Sequence, residues 1–140
     1  KLSNIESTKL MHQMCYSNLE HYSNIKPIKL MVDYLKEVVY NYRNIHDFYI
    51  LTSCGKYNTL EVSKQKKLWV AKNFSIMNPN NVICVLRSKD KKYYADENSL
   101  MIDDFDLVRN LFVEEGGMAV DGADLQKTKD CLDKLLNEEL

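Results

Sequence analysis

The sequence has little of what breaks regular structure: 4 glycines and 2 prolines in 140 residues. That excludes a collagen-like chain and a Gly/Pro-rich low-complexity chain. Uninterrupted apolar runs last only a few residues, too short for a membrane-spanning helix, so no membrane partner is expected. No segment has the basic, apolar, small-residue order of a secretory signal. An excess of one charge is also missing, with 19 Lys+Arg against 20 Asp+Glu and a formal net charge of −1. Such a chain has no overall attraction to nucleic acid or anionic lipid, and binding either would need a local patch. What is present is apolar surface, 45% of residues. A single domain of this length buries roughly two-thirds of its unfolded surface, which excludes disorder as the dominant state.

The four cysteines, Cys15, Cys54, Cys84 and Cys131, are dispersed, and so are His12, His21 and His46. No C-x-x-C pair or short Cys/His spacing supplies a zinc ligand set. The expected state is four reduced thiols in a cytoplasmic protein, most of them packed in apolar faces. None of the histidines has a visible catalytic partner.

Residues 1–25 read as a helical region separate from an α/β core over 26–140. Ser3 and Glu6 form a capping box for a helix over 3–22, with Ile5, Leu10, Met14 and Leu19 as its apolar stripe. Pro27 suits a first helical position. Ile28, Met31, Val32, Leu35, Val38, Val39 and Tyr42 then repeat with the helical period. The run Phe48-Tyr49-Ile50-Leu51 reads as a strand buried on both faces, ended by Thr52-Ser53-Cys54-Gly55. A helix over Val62–Phe74 follows, with Leu68, Trp69 and Phe74 inward, then a loop at Asn78–Asn81 and a second strand over Val82–Leu86. Lys89–Asn98 is polar and reads as a loop, with Tyr93-Tyr94 as a short edge strand. Leu100-Met101-Ile102 is a third strand ending in Asp103-Asp104. A helix carrying Leu107, Val108, Leu111 and Phe112 stops at Gly116-Gly117. Met118-Ala119-Val120 is a fourth strand, and Asp121 or Asp124 caps a last helix carrying Leu125, Leu132, Leu135 and Leu136.

Strands alternating with helices imply a parallel sheet flanked by helices in three layers. Ligands of such sheets bind at the carboxyl ends of the strands. The residues there are Thr52-Ser53, Arg87-Ser88-Lys89, Asp103-Asp104 and Asp121. Adjacent carboxylates repel unless a cation or base offsets them. Mg²⁺ takes one or two carboxylates and completes its shell with water and phosphate. Thr52-Ser53 offers a hydroxyl and backbone N–H groups suited to phosphate oxygens, and a lysine on the following helix would neutralise a transferring phosphoryl group. Each signal has an ordinary alternative. Asp-Asp after a strand is also a turn or helix cap, and Lys64, Lys66 and Lys67 also suit a solvated helix face.

The order strand–Thr-Ser, Lys-bearing helix, strand, strand–Asp-Asp–helix resembles the haloacid dehalogenase (HAD) superfamily. Tyr49-Ile50-Leu51-Thr52-Ser53 is similar to its second motif, which binds phosphate. Lys66, within Gln65-Lys66-Lys67-Leu68-Trp69-Val70, is similar to its third-motif lysine. Leu100-Met101-Ile102-Asp103-Asp104 is similar to its fourth motif, the acidic pair that holds Mg²⁺. The resemblance extends to the 5′(3′)-deoxyribonucleotidases, which have a similar Lys-x-x-Trp-Val helix and an Arg-x-Lys before the acidic strand, here Arg87-Ser88-Lys89. The phosphatase domain of bacteriophage polynucleotide kinase-phosphatases has a similar Ile-Asp-Asp run. The similarity covers roughly residues 26 to 136 and implies a HAD-like Rossmannoid core, with residues 1–25 as a remnant of the helical cap. It also implies a Mg²⁺-dependent phosphomonoesterase acting on a nucleotide, another small phosphorylated molecule, or the end phosphate of a nucleic acid. In that reading Thr52 and Ser53 hold the phosphoryl group, Lys66 neutralises it, Asp103 and Asp104 serve the metal, and Arg87 and Lys89 meet substrate phosphate.

The family's first motif, Asp-x-Asp-Gly-Thr/Val, is not in these residues. Val120-Asp121-Gly122-Ala123-Asp124 has the wrong spacing and follows the wrong strand. The family places the first-motif strand centrally, between the strands ending at Thr52-Ser53 and Asp103-Asp104. Its loss would leave a gap of roughly 9–10 Å and buried backbone groups costing about 1–3 kcal/mol each if unpaired. The expectation is that an N-terminal segment or a partner chain supplies the strand, or that the sheet re-pairs. Two other readings stay open: a catalytically inactive HAD-like binding module, and an unrelated doubly wound α/β domain with Asp103-Asp104 as a turn.

Overall fold

The computed structural model describes residues 28–138, with the side chain of Glu138 excepted. The expected helix over 3–22 and the cap remnant over 1–25 lie outside the described residues. The chain divides into two compact units, Lys1–Arg87 and Ser88–Leu140.

In the first unit, α1 spans Lys29–Tyr42 and turns Val38 and Val39 into the interior. Strand β1, Ile50–Ser53, pairs in parallel with β2, Val82–Val85, in the register Ile50↔Val82 to Ser53↔Val85. A parallel pair needs a crossover, and helix α2, Thr59–Asn73, supplies it. Its start lies three residues before the expected Val62, because Asn58 takes a left-handed φ of 54° and Thr59 Oγ1 donates to the Gly55 carbonyl at 2.7 Å. The core consists of Val39, Val70, Phe74, Met77 and Val82, with Trp69, Phe48 and Ile50 packed against it. Leu68 was expected inward but is 52% exposed; the buried stripe of α2 runs through Val62, Gln65 and Val70 instead. A 3-10 turn at Pro79–Asn81 opens β2, where the Asn78 side chain accepts from Asn80 N and Asn81 Nδ2 donates to the Phe48 carbonyl, each at 2.9 Å.

The second unit repeats the plan. Strand β3, Leu100–Asp103, pairs in parallel with β4, Met118–Asp121, so that Asp103 faces Asp121 in register. Helix α3, Asp106–Glu114, is the crossover, and it buries Val108 and Phe112. It ends as its two glycines imply: Gly116 has a φ of +97° and Gly117 N donates to Phe112 O at 3.0 Å, the long return bond of a left-handed helix terminator. Asp124, rather than Asp121, caps helix α4, Leu125–Glu138, by accepting from Lys127 N at 3.0 Å. Ser88–Tyr94 is a 3-10 segment. The edge strand expected at Tyr93-Tyr94 is therefore absent, because local i→i+3 bonding claims this lysine- and tyrosine-rich stretch.

The fold is mixed α/β with parallel strands, as the alternation of patterns implied. Among the described residues each sheet has two strands, β1–β2 and β3–β4. The strands are half-buried rather than covered on both faces, because each strand of a two-stranded sheet also has an edge. No described helix is long and apolar enough to cross a membrane.

Candidate functional site

Both units carry polar residues where their strands end. In the first, β1 delivers Thr52 and Ser53, and Cys54 continues the pairing by donating its N–H to Val85 O at 2.8 Å. Two turns into α2, Lys66 reaches back so that its ammonium donates to the Ser53 carbonyl. The structure thus brings together Ser53 and Lys66, both named from the sequence, and leaves Thr52 half-buried beside them. Thr52 is in register with Cys84, whose sulfur accepts from Ser63 Oγ at 3.1 Å. Cys54 is 1% exposed. Burial pushes its thiol up to about 12, the adjacent Cys84 thiol adds to the rise, and Lys66 and Lys67 oppose it. A thiol so held is protonated at neutral pH and is a poor nucleophile. Cys54, Cys84 and Cys131 are free thiols; Cys15 lies outside the described residues.

In the second unit, β3 ends at Asp103, and four donors hold that residue. Lys91 Nζ lies 2.8 Å from Oδ2 and Phe105 N lies 2.9 Å from Oδ1. The Asp103 carbonyl accepts from Gly122 N at 3.1 Å and from an Arg109 terminal nitrogen at 3.0 Å. Asp104 follows on the exposed turn into α3. Asp121, at the end of β4, accepts from Ala123 N at 2.9 Å and faces the Arg109 guanidinium at 3.4 Å. Arg87 and Lys89 are exposed and flank the division between the units.

Lys91 and Arg109 were not singled out from the sequence. Lys91 sits in the run Lys89-Asp90-Lys91-Lys92, where composition alone does not select one lysine. The 3-10 turn makes the selection, and burial of the pair then follows. Arg109 had a findable signal: it stands three residues after Asp106 on a helix, an ion-pair spacing.

Carboxylates are hard oxygen donors, and two of them at a strand end fit part of a Mg²⁺ shell. Each Asp103 carboxylate oxygen accepts one protein donor, which leaves lone pairs for a cation. Among the described residues no group of three or more His, Cys, Asp and Glu is placed to hold a metal ion, so Asp103 and Asp104 would be partial ligands only. No family model, no curated protein and no solved structure matches this chain.

Proposed function

We propose that the chain is the larger part of a HAD-type, Mg²⁺-dependent phosphomonoesterase acting on a nucleotide or a nucleic-acid end phosphate. The observation that carries this reading is the Lys91–Asp103 ion pair at the carboxyl end of a parallel strand, directly before a second aspartate. A lysine and a metal ion sharing one carboxylate is an arrangement suited to neutralising a transferring phosphoryl group. Thr52 and Ser53 bind the phosphoryl oxygens, and Lys66 orders their loop through the Ser53 carbonyl. Asp103 and Asp104 hold Mg²⁺, which supplies charge neutralisation at the phosphate when bound. Lys91 takes the charge-balancing role beside Asp103, and Arg87 and Lys89 are the candidates for further substrate phosphate. The nucleophilic aspartate comes from an Asp-x-Asp strand outside these 140 residues, in a preceding segment or a partner chain.

The absence of Asp-x-Asp from the sequence favours a second reading, a HAD-like module kept for binding alone. Hydrolysis of an aryl phosphate separates the two. The enzyme reading expects phosphate release that requires Mg²⁺ and is lost on Asp103→Asn. Release at an equal rate in the variant, or none in the presence of the completing segment, overturns it.

A further inference from the structure

We propose that Arg109 is a positioning residue for the acidic pair. It fixes the turn Asp103-Asp104-Phe105 so that both carboxylates are held ready for a divalent cation. The inference rests on the phosphatase reading and deepens it.

Arg109 lies in the first turn of α3, with its side chain 20% exposed. One terminal nitrogen donates to the Asp103 carbonyl at 3.0 Å and lies 3.4 Å from Asp121 Oδ1. The other donates to Asp106 Oδ1 at 2.7 Å. A single planar fork therefore ties together the last residue of β3, the first residue of α3 and the last residue of β4. Asp103 and Asp106 bracket the turn that carries Asp104, so the turn cannot slide without breaking one of these bonds. The guanidinium binds the main-chain oxygen of Asp103, and the carboxylate stays available to Lys91, to Phe105 N and to a cation. It also sits against one of two carboxylates that face each other in register, which reduces their repulsion. Lysine would bring the charge without the fork, because a point-charge ammonium cannot reproduce donors at fixed angles. Groups that orient metal ligands typically change metal affinity by about 10–100-fold when removed.

The test is Mn²⁺ binding, used as a paramagnetic stand-in for Mg²⁺ and titrated against the full chain by water-proton relaxation. Wild type, Asp103→Asn, Arg109→Lys and Arg109→Gln are compared, with circular dichroism to establish that each variant is folded. The expected result is binding by wild type, loss in Asp103→Asn, and a weakening of about tenfold in both Arg109 variants. Loss in Arg109→Lys, which keeps the charge, assigns the effect to geometry. Folded Arg109 variants with wild-type affinity overturn the proposal and leave the phosphatase reading standing. Failure of both variants to fold makes Arg109 a structural residue and also overturns it. No binding by wild type, or binding unchanged in Asp103→Asn, overturns the phosphatase reading together with the proposal.

Discussion

Lys91 Nζ lies 2.8 Å from Asp103 Oδ2, and the two side chains are only 12% and 11% exposed. At such burial each charge depends on the other, because removing one partner strands the second in a poorly solvated place. Lys91→Met is expected to cost about 3 kcal/mol of stability. The double variant Lys91→Met/Asp103→Asn is expected to cost clearly less than the sum of its single changes, because the coupling is lost once. Urea denaturation of the four proteins measures this. Strict additivity would show that the pair is not coupled.

Gly117 is fixed by what lies above it. A Cβ there would come within 2.3 Å of the Phe112 ring and 3.2 Å of the Ala95 side chain. Phe112 is itself in the core of the second unit, so the ring has little room to withdraw. Gly117→Ala is expected to cost about 1–3 kcal/mol through overpacking. The same change in a Phe112→Leu background should cost less. An equal cost in both backgrounds would place the strain elsewhere.

The Cys54 thiol makes stability depend on pH in a defined window. Its ordinary value of 9.0 rises to about 12 in the folded chain, chiefly through burial. Below about pH 9 both folded and unfolded states keep the proton, and this thiol adds no pH dependence. Between about 9 and 12 the unfolded chain releases the proton and the folded chain retains it, so the free energy of unfolding falls as pH rises. Denaturation midpoints across that range should therefore fall more steeply in wild type than in Cys54→Ala. The lysines and tyrosines that titrate in the same range are common to both proteins. Parallel slopes would mean that Cys54 is not the source.

Much of the fold was legible in residue patterns. The 3.6-residue stripe from Met31 to Tyr42 became α1, and the apolar runs at Ile50, Val82, Leu100 and Met118 became the four strands, because period and β-branched content are local properties. Gly116-Gly117 ended α3 for a backbone reason that sequence states directly. Leu68 was misplaced because α2 carries apolar residues on more than one side, and only packing against Val39 and Val82 decides which side turns inward. Tyr93-Tyr94 has strand propensity, yet the segment folds as a 3-10 turn and uses that turn to bring Lys91 to Asp103. Thr52, Ser53, Asp103 and Asp104 were legible because strand ends are where such folds place chemistry. Lys91 and Arg109 were not, because their importance depends on contacts between elements rather than on spacing within one.

The central claim is phosphoryl transfer to an aspartate outside these residues, assisted by Asp103-bound Mg²⁺. The most direct measurement is to trap the protein from its natural source during turnover of a radiolabelled phosphomonoester and to map the label. The account predicts a hydroxylamine-labile label on an Asp-x-Asp peptide that is not part of the 140 residues, formed only with Mg²⁺ and absent in Asp103→Asn. A label on an aspartate within these residues, or phosphate release with no labile label at all, would contradict it.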